Sequence, residues 1–218
     1  MDLKEMHVTV KERAPIAAEH VELIGGLFHQ GLARAAGSLS GLVGHEIAAI
    51  NGRIEVLPLA QALALVGPAE RATVGVHVGL NGQIDAHVVL LFTPAEARRL
   101  VDLMLQRTCG GTEKFEELAR PALAECGNIM GSAFAIVLGD RTGSPLWSTP
   151  PSVRVDMAQA LVDGLIATAI DERSEVLVGV TSFAETNAEP QVPVRGTFLF
   201  VPEPDGLPTL LQALERTE

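Results

Sequence analysis

The stretch TVGVHVGLNGQIDAHVVLLF, residues 73–92, places two runs rich in valine and leucine on either side of Asn81 and Gly82. An Asn-Gly pair between two such runs is a strong signal for a β-hairpin with a two-residue turn. Thr93 and Pro94 follow at once, and threonine before proline is typical of a helix N-cap and the first helical position. The stretch therefore predicts an antiparallel strand pair followed directly by a helix.

Short pieces of this unit recur later in the chain in the same order. VGV at 74–76 returns at 178–180, LLFTP at 90–94 returns as FLFVP at 198–202, and LAQAL at 59–63 returns as MAQAL at 157–161. Upstream, Gly44 matches Gly143 at an offset of 99 residues. Such self-similarity predicts a duplication within one domain, 1–218, with repeat 1 at about 16–106 and repeat 2 at about 114–216.

Each copy has the pattern of a long helix, a short strand pair, a second helix, a β-hairpin and a third helix. Because hairpins pair antiparallel strands, this pattern predicts the α+β class, with a shared antiparallel β-sheet flanked by long helices and a pseudo-two-fold relation between the copies. The second copy has a longer polar loop, AETNAEPQ, in place of the tight turn.

Composition and charge exclude several classes of protein. Of the 218 residues, 47% are hydrophobic and 20% are charged, which is typical of a globular chain. Sixteen lysines and arginines oppose 27 acidic residues, so binding to nucleic acid or to an anionic membrane is disfavoured. No window is interpreted as a signal peptide or a membrane span. Cys109 and Cys126 lack metal or disulfide spacing and are interpreted as free thiols of a cytoplasmic protein.

A second stretch, LAECGNIMGSA at 123–133, belongs to a helix predicted from Phe115 to about Gly139. Apolar residues recur at helical spacing and predict one buried stripe, formed by Ala119, Leu123, Cys126, Met130, Ala133 and Val137. Glu125 and Asn128 lie off this stripe, roughly 60° apart around the helix axis, and are predicted to project from the outer face. Their predicted neighbours on that face are Pro121, Ser132 and Ala135.

Two interpretations of Glu125 and Asn128 are open on this evidence. A helix needs some polar residues on its outer face, and an isolated Glu and Asn would serve. Asn, however, is a poor helix former, and Gly127 beside it costs about 1 kcal/mol relative to alanine. Because Asn128 and Gly127 both lie in mid-helix without an evident packing gain, the stretch weakly favours a functional role for this helix face.

With the repeat and this helix, the sequence resembles the CheC/CheX/FliY family of chemotaxis phosphatases, and it is most like a two-copy CheC. The family's second signature has an Asp or Ser, then a Glu four positions on, then an Asn three further, and later a proline. Glu125 and Asn128 match the central pair, and Pro150 or Pro151 matches the distal proline. The resemblance extends over nearly the whole chain.

The sequence departs from the family pattern in two places. Pro121 stands where the family has Asp or Ser, and proline has neither a side-chain acceptor nor a backbone donor. In the first copy, the offset of 99 puts Gly26 and His29 where the second copy has Glu125 and Asn128. The resemblance therefore implies one working site per chain, in the second copy.

The resemblance implies hydrolysis of the aspartyl phosphate of a CheY-type response regulator in chemotaxis. That substrate carries its own magnesium ion and lysine, so the protein needs no cofactor or metal of its own, and its main task is to place the attacking water. The neutral Asn128 amide suits this catalytic role because it orients water without adding charge beside a dianion. Glu125 suits docking to the regulator's lysine, and a role as general base is less favoured.

The rival interpretation is a CheC-like adaptor or flagellar-switch component. Such a protein would bind a response regulator or a CheD-type partner without hydrolysing anything, and Pro121 and the altered first copy favour it. A structural dimerisation domain ranks third, because nothing beyond apolar faces supports it.

Four other residues are assigned no catalytic role. A two-residue turn would put His77 and His87 on opposite faces of the hairpin, where they would not share a metal ion. His29 is expected to be solvated, and Trp147, the only tryptophan, is expected to anchor the core. No glycine-rich phosphate loop occurs.

Overall fold

The computed structural model describes residues 18–58, 61–62, 67–107, 119–161, 164, 175–186, 193–203 and 206–215. Cys109, residues 115–118 and most of the AETNAEPQ loop lie outside these ranges. The longer helices are α1 (Ala18–Val43), α2 (Pro94–Met104), α3 (Ala119–Thr142) and α4 (Gly206–Glu215). The strands are β1 (Ile47–Pro58), β2 (Ala72–Asn81), β3 (Ala86–Phe92), β4 (Trp147–Ser148), β5 (Ser152–Met157), β6 (Glu175–Glu185) and β7 (Val194–Pro202).

Several predicted elements are confirmed. Thr93 caps α2, and its Oγ1 accepts a hydrogen bond from the Glu96 N–H at 3.2 Å. Of the predicted second helix of each copy, residues 61–62 and 158–161 are described, and they are helical. The combination of helices with an antiparallel sheet is the predicted α+β class.

The seven described strands form one antiparallel sheet with the order β1-β6-β7-β3-β2-β4, and β5 also pairs with β2. In the two copies, β1 corresponds to β4 and β5, β2 corresponds to β6, and β3 corresponds to β7. When each strand is replaced by its counterpart, the strand order read from one edge of the sheet becomes the order read from the other edge. A glycine with a left-handed φ follows both α1 and α3, 75° at Gly44 and 68° at Gly143. Strand order and helix ends thus have the symmetry that a duplication predicts, while the exact limits of the two repeats stay a prediction.

The main core lies between the helices and one face of the sheet. Phe28 of α1, Phe134 of α3 and Phe198 of β7 meet there, with ring centroids 4.6 to 5.5 Å apart. Gly31 leaves room for this cluster, since a Cβ at that position would lie 2.7 Å from the Phe134 ring. A smaller apolar cluster covers the opposite face and includes Val89, Leu91 and Leu199.

The β2–β3 hairpin forms as predicted, but the prediction of a two-residue turn is wrong. The connection comprises the five residues between Leu80 and Ala86. Within it, Gly82 donates its N–H to Asp85 Oδ1 at 3.1 Å, and the side chain of Ile84 is buried in the main core. Burial of this large apolar side chain favours the longer loop over the tight turn.

The observed register also changes the positions of two histidines. His77 lies opposite Val89 and His87 lies opposite Gly79, which puts both rings on the same sheet face. The prediction of opposite faces is therefore wrong, and His77 Nε2 lies 3.0 Å from His87 Nδ1. Burial, followed by the neighbouring His87, lowers the pKa of His77 to about 4, so this ring is neutral at neutral pH.

Two further expectations fail in and beside the edge strands. Trp147, expected in the core, is 58% exposed because it lies in the two-residue strand β4, opposite Asn81 at the end of β2. In the first copy, a strand pair was predicted, but one long strand forms with a register shift between Asn51 and Ile54. In the second copy, residues 149–151, two of them proline, separate β4 from β5, because proline has no N–H for the ladder.

Helix α3 packs as its apolar pattern predicts, since all six residues of the predicted stripe are buried. Ala135, expected on the outer face, is buried as well, because the helix is covered over a wider arc than the stripe. By length and composition α3 is apolar enough to cross a membrane, which differs from the expectation for this chain. However, 56% of its most apolar window is buried inside the fold, and the core helix of a soluble protein passes the same test.

Candidate functional site

An exposed stripe follows the outer face of α3, on the side away from the core. Its members recur at spacings of three and four residues: Pro121, Glu125, Asn128, Ser132 and Ile136. Pro121, Glu125 and Asn128 are exposed, Ser132 is half-buried, and Ile136 is 39% exposed. The structure therefore places the two predicted site residues as neighbours on a solvent-facing helix surface.

Neither Glu125 nor Asn128 has a hydrogen-bond or ion-pair partner within the part of the chain that the structure describes. Burial, followed by the charge of Glu125, raises the pKa of the adjacent Cys126 thiol to about 12. That thiol stays protonated at neutral pH, so it offers no nucleophile beside the pair. The pair presents one carboxylate and one amide with their hydrogen-bonding capacity available to a partner.

Two glycines set the distance between α3 and the sheet. A Cβ on Gly127 would lie 2.6 Å from Val76 Cγ1, and a Cβ on Gly131 would lie 2.6 Å from Val78 Cγ1. Gly127 therefore has a packing role, and the expectation that its helix penalty brings no packing gain is wrong. Asn128 is different, because it is exposed and makes no described contact that would offset its poor helix propensity.

The N-terminal end of α3 accommodates the proline that departs from the family signature. The structure describes α3 from Ala119 onward, and Pro121 is the third described residue of the helix and is exposed. Beside it, Arg120 Nη1 donates to the carbonyl of Val153 in β5 at 3.1 Å. This bond attaches the described N-terminal part of α3 to the edge of the sheet.

The connection between β4 and β5 borders the exposed stripe. Ser132 lies one helical turn beyond Asn128, and its Oγ is 3.5 Å from Oγ of Ser148 in β4. Pro151 packs against Gly127, since a Cβ on that glycine would lie 3.0 Å from Pro151 Cβ, whereas Pro150 is exposed. Of the two candidates for the distal proline, Pro151 is the one that packs on the helix. No local sequence pattern indicates Ser148, because its position depends on the pairing of β4 with β2.

The equivalent surface of the first copy lacks the pair. Gly26 and His29 are exposed on α1, and no described atom outside the neighbouring helix backbone lies within 4 Å of the position that a Gly26 Cβ would take. An open groove of about 630 Å³ lies beside His29 between α1 and β1, lined largely by small residues such as Ala33 and Gly37. The positions of α1 that correspond to the pair offer neither a carboxylate nor an amide.

A metal site does not emerge from the described ranges, where no group of three or more His, Cys, Asp and Glu side chains could hold an ion. The two histidines in contact, His77 and His87, lie on the sheet face opposite to α3. His87 Nε2 lies 3.6 Å from Glu203 Oε1.

The protein is thus of the α+β class, with one antiparallel sheet and a long helix, α3, that presents the exposed Glu125–Asn128 pair. FliY of Thermotoga maritima has this fold, with a TM-score of 0.76 over 94% of this chain and 100% of that structure, at 17% identity. The middle domain of FliM from H. pylori has it too, with a TM-score of 0.66 over 91% of this chain and 99% of that domain, at 10% identity. At such identities the likeness shows the fold.

The sequence comparison is more specific. The chain is 31% identical over 159 residues to CheC1 of Halobacterium salinarum, which is named as a candidate CheY-P phosphatase. The match covers 68% of this chain and 77% of that protein. The chain belongs to the CheC/CheX/FliY family, as its sequence motifs indicate. No protein-family model matches the chain.

Proposed function

We propose that the protein is a cytoplasmic chemotaxis phosphatase that accelerates hydrolysis of the aspartyl phosphate of a CheY-type response regulator. The observation that carries this proposal is the exposed Glu125–Asn128 pair, which has no partner among the described residues, on a helix packed closely against the sheet. The choice of substrate is supported by the identity with a relative named as a candidate CheY-P phosphatase.

In the proposed reaction, α3 enters the regulator's active site and Asn128 orients the attacking water. The Asn128 carbonyl oxygen accepts a hydrogen bond from the water, which directs a water lone pair toward phosphorus. The bond between phosphorus and the new oxygen forms as the acyl phosphate bond breaks, which returns the aspartate carboxylate and releases inorganic phosphate. The regulator supplies the magnesium ion and the lysine that stabilise the transferred group, so the protein contributes mainly position.

Glu125 is proposed to dock the two proteins. Its carboxylate is exposed and has no described internal partner, so an ion pair with the regulator's lysine would replace solvent and would break no internal bond. Because Glu125 and Asn128 lie on one face of the same helix, this ion pair would also set the distance of the amide from phosphorus. The short side chains of Pro121 and Ser132 on the same stripe leave space for close approach.

A second candidate function is a binding module that holds a response regulator or a CheD-type partner without catalysis. Pro121 favours it, because this exposed position has no side-chain acceptor where the family signature has one. The altered first copy also favours it, because only one of the two helices presents the pair.

The decisive experiment measures phosphate release from a phosphorylated CheY-type regulator with and without the protein. A phosphatase should accelerate release in proportion to its concentration, and the double change Glu125→Gln/Asn128→Ala should abolish the effect. A binding titration with the same regulator is run in parallel. If the regulator binds but phosphate release stays at its intrinsic rate, the adaptor function replaces the phosphatase.

A further inference from the structure

A small cavity of about 190 Å³ opens on the sheet face opposite to α3. The described residues that line it include His77 of β2, Leu91 of β3, Ser152 and Arg154 of β5, and Leu161 just beyond β5. Successive residues of a strand face opposite sides, and the residue before His77 is the one against which α3 packs. The cavity is therefore separate from the exposed stripe of α3 and has no part in the proposed reaction.

The strand register brings the polar groups of this cavity together. His77 pairs with Ser152, and Gly75 pairs with Arg154, on adjacent antiparallel strands. Side chains of directly opposed residues share one face of the sheet, so the ring, the hydroxyl and the guanidinium group border the same space. Gly75 keeps the floor open, because a Cβ there would lie 3.1 Å from Leu161 Cδ1.

Among the described residues that line the cavity, Arg154 is the one that carries a full charge at neutral pH. Arg154 is exposed and has no hydrogen-bond or ion-pair partner among the residues that the structure describes. Its charge contributes, after burial and His87, to lowering the pKa of His77, so the His77 ring next to it is neutral at neutral pH. A guanidinium without a described partner, beside a serine hydroxyl, attracts an anionic oxygen, and its planar fork matches a carboxylate.

The remaining lining is apolar and the space is small. Val89, Leu91 and Leu161 provide a wall without hydrogen-bonding groups. A volume of about 190 Å³ is roughly six times the volume that one water molecule occupies in liquid water. The space therefore suits a ligand of several non-hydrogen atoms.

We propose that this cavity binds a small aliphatic monocarboxylate, with the carboxylate at Arg154 and Ser152 and the hydrocarbon chain against Leu91 and Leu161. Inorganic phosphate would pair with the arginine but would leave the apolar wall in contact with water. A neutral amide of the same shape would contact the wall but would lack the charge that Arg154 requires. The site thus combines one charged contact with one apolar contact, as small-molecule pockets commonly do.

The test is a titration of the full chain with sodium valerate, followed by amide NMR signals at constant ionic strength. Valerate should shift the signals of Gly75 and Ser152 and leave that of Asn128 in place. Valeramide and sodium phosphate should bind about tenfold or more weakly, as should valerate to Arg154→Gln. Arg34→Gln is the matched control, because it removes an exposed arginine on α1 at the other sheet face, and its affinity for valerate should not change.

Three results would each overturn the proposal. They are equal binding of valerate and valeramide, unchanged affinity of the Arg154→Gln variant, and signal changes confined to residues far from the cavity. A second variant covers the case in which the arginine change perturbs the strand. Gly75→Ala places a methyl group against Leu161, so it should weaken valerate binding more than acetate binding, and equal loss for both acids would also contradict the proposed position of the chain.

Discussion

Replacement of Asn128 by alanine should affect stability and activity in opposite directions. The side chain is exposed and has no partner among the described residues, so its removal breaks no internal contact. Alanine is the better helix former by about 0.5 kcal/mol, and for a chain of this size that difference raises the melting temperature by about 1 to 2 °C. The variant should therefore be slightly more stable than the wild type.

Activity should change in the opposite direction. If the Asn128 amide orients the attacking water in the transition state, its loss should reduce phosphate release by about a hundredfold, or about 2.7 kcal/mol of activation free energy. Binding of the regulator should change little, because the proposed docking contact is made by Glu125 and not by Asn128. Asn128→Asp keeps the shape but adds a negative charge beside the phosphoryl group, so its activity should be at least as low.

The assay follows phosphate release from the phosphorylated regulator under single-turnover conditions, together with thermal unfolding of each variant. Asp140→Ala is the matched control, because it removes another exposed polar side chain from α3 several turns away and should keep the rate within about twofold. Release by Asn128→Ala at the wild-type rate would refute the role of the amide.

The other predictions concern docking, helix packing, the first copy and the pH dependence of stability. Glu125→Lys should weaken binding of the regulator, most strongly at low salt where charge repulsion is least screened, and an anisotropy titration showing unchanged affinity would contradict the docking role. Gly127→Ala would place a methyl group 2.6 Å from β2 and should destabilise the protein by about 1 to 3 kcal/mol in urea unfolding. Gly26→Ala, where the space is open, should stabilise the protein by about 0.5 to 1 kcal/mol. If Gly127→Ala proved more stable than Gly26→Ala, the close packing of Gly127 against β2 would be contradicted. The double change Gly26→Ala/His29→Ala should keep phosphate release within about twofold, whereas a tenfold loss would mean that α1 participates. Because the pKa of His77 is lowered to about 4 from an ordinary value of 6.5, the unfolded state takes up more protons between these pH values. Stability should therefore fall by on the order of 1 to 2 kcal/mol as pH drops from 6.5 to 4, after allowance for the partly exposed ring, and His77→Gln should reduce this slope.

The sequence by itself determined the features that depend on residues close together in the chain. The 3.6-residue periodicity around Leu123 and Met130 predicts which face of α3 is buried, and it thereby places Glu125 and Asn128 outside. The Thr93 cap and the two hairpins are likewise local, because each rests on a few neighbouring residues.

Only the tertiary structure decided the features that depend on contacts between distant parts of the chain. Burial of Ile84 in the core lengthens the β2–β3 connection, which shifts the register and brings His77 against His87. The packing role of Gly127 depends on β2, which lies some fifty residues earlier, and no helical pattern can reveal it. Trp147 is apolar and was expected inside, but pairing at the sheet edge leaves it in solvent. In each case the free energy of a long-range contact outweighs the local preference that a sequence pattern reports.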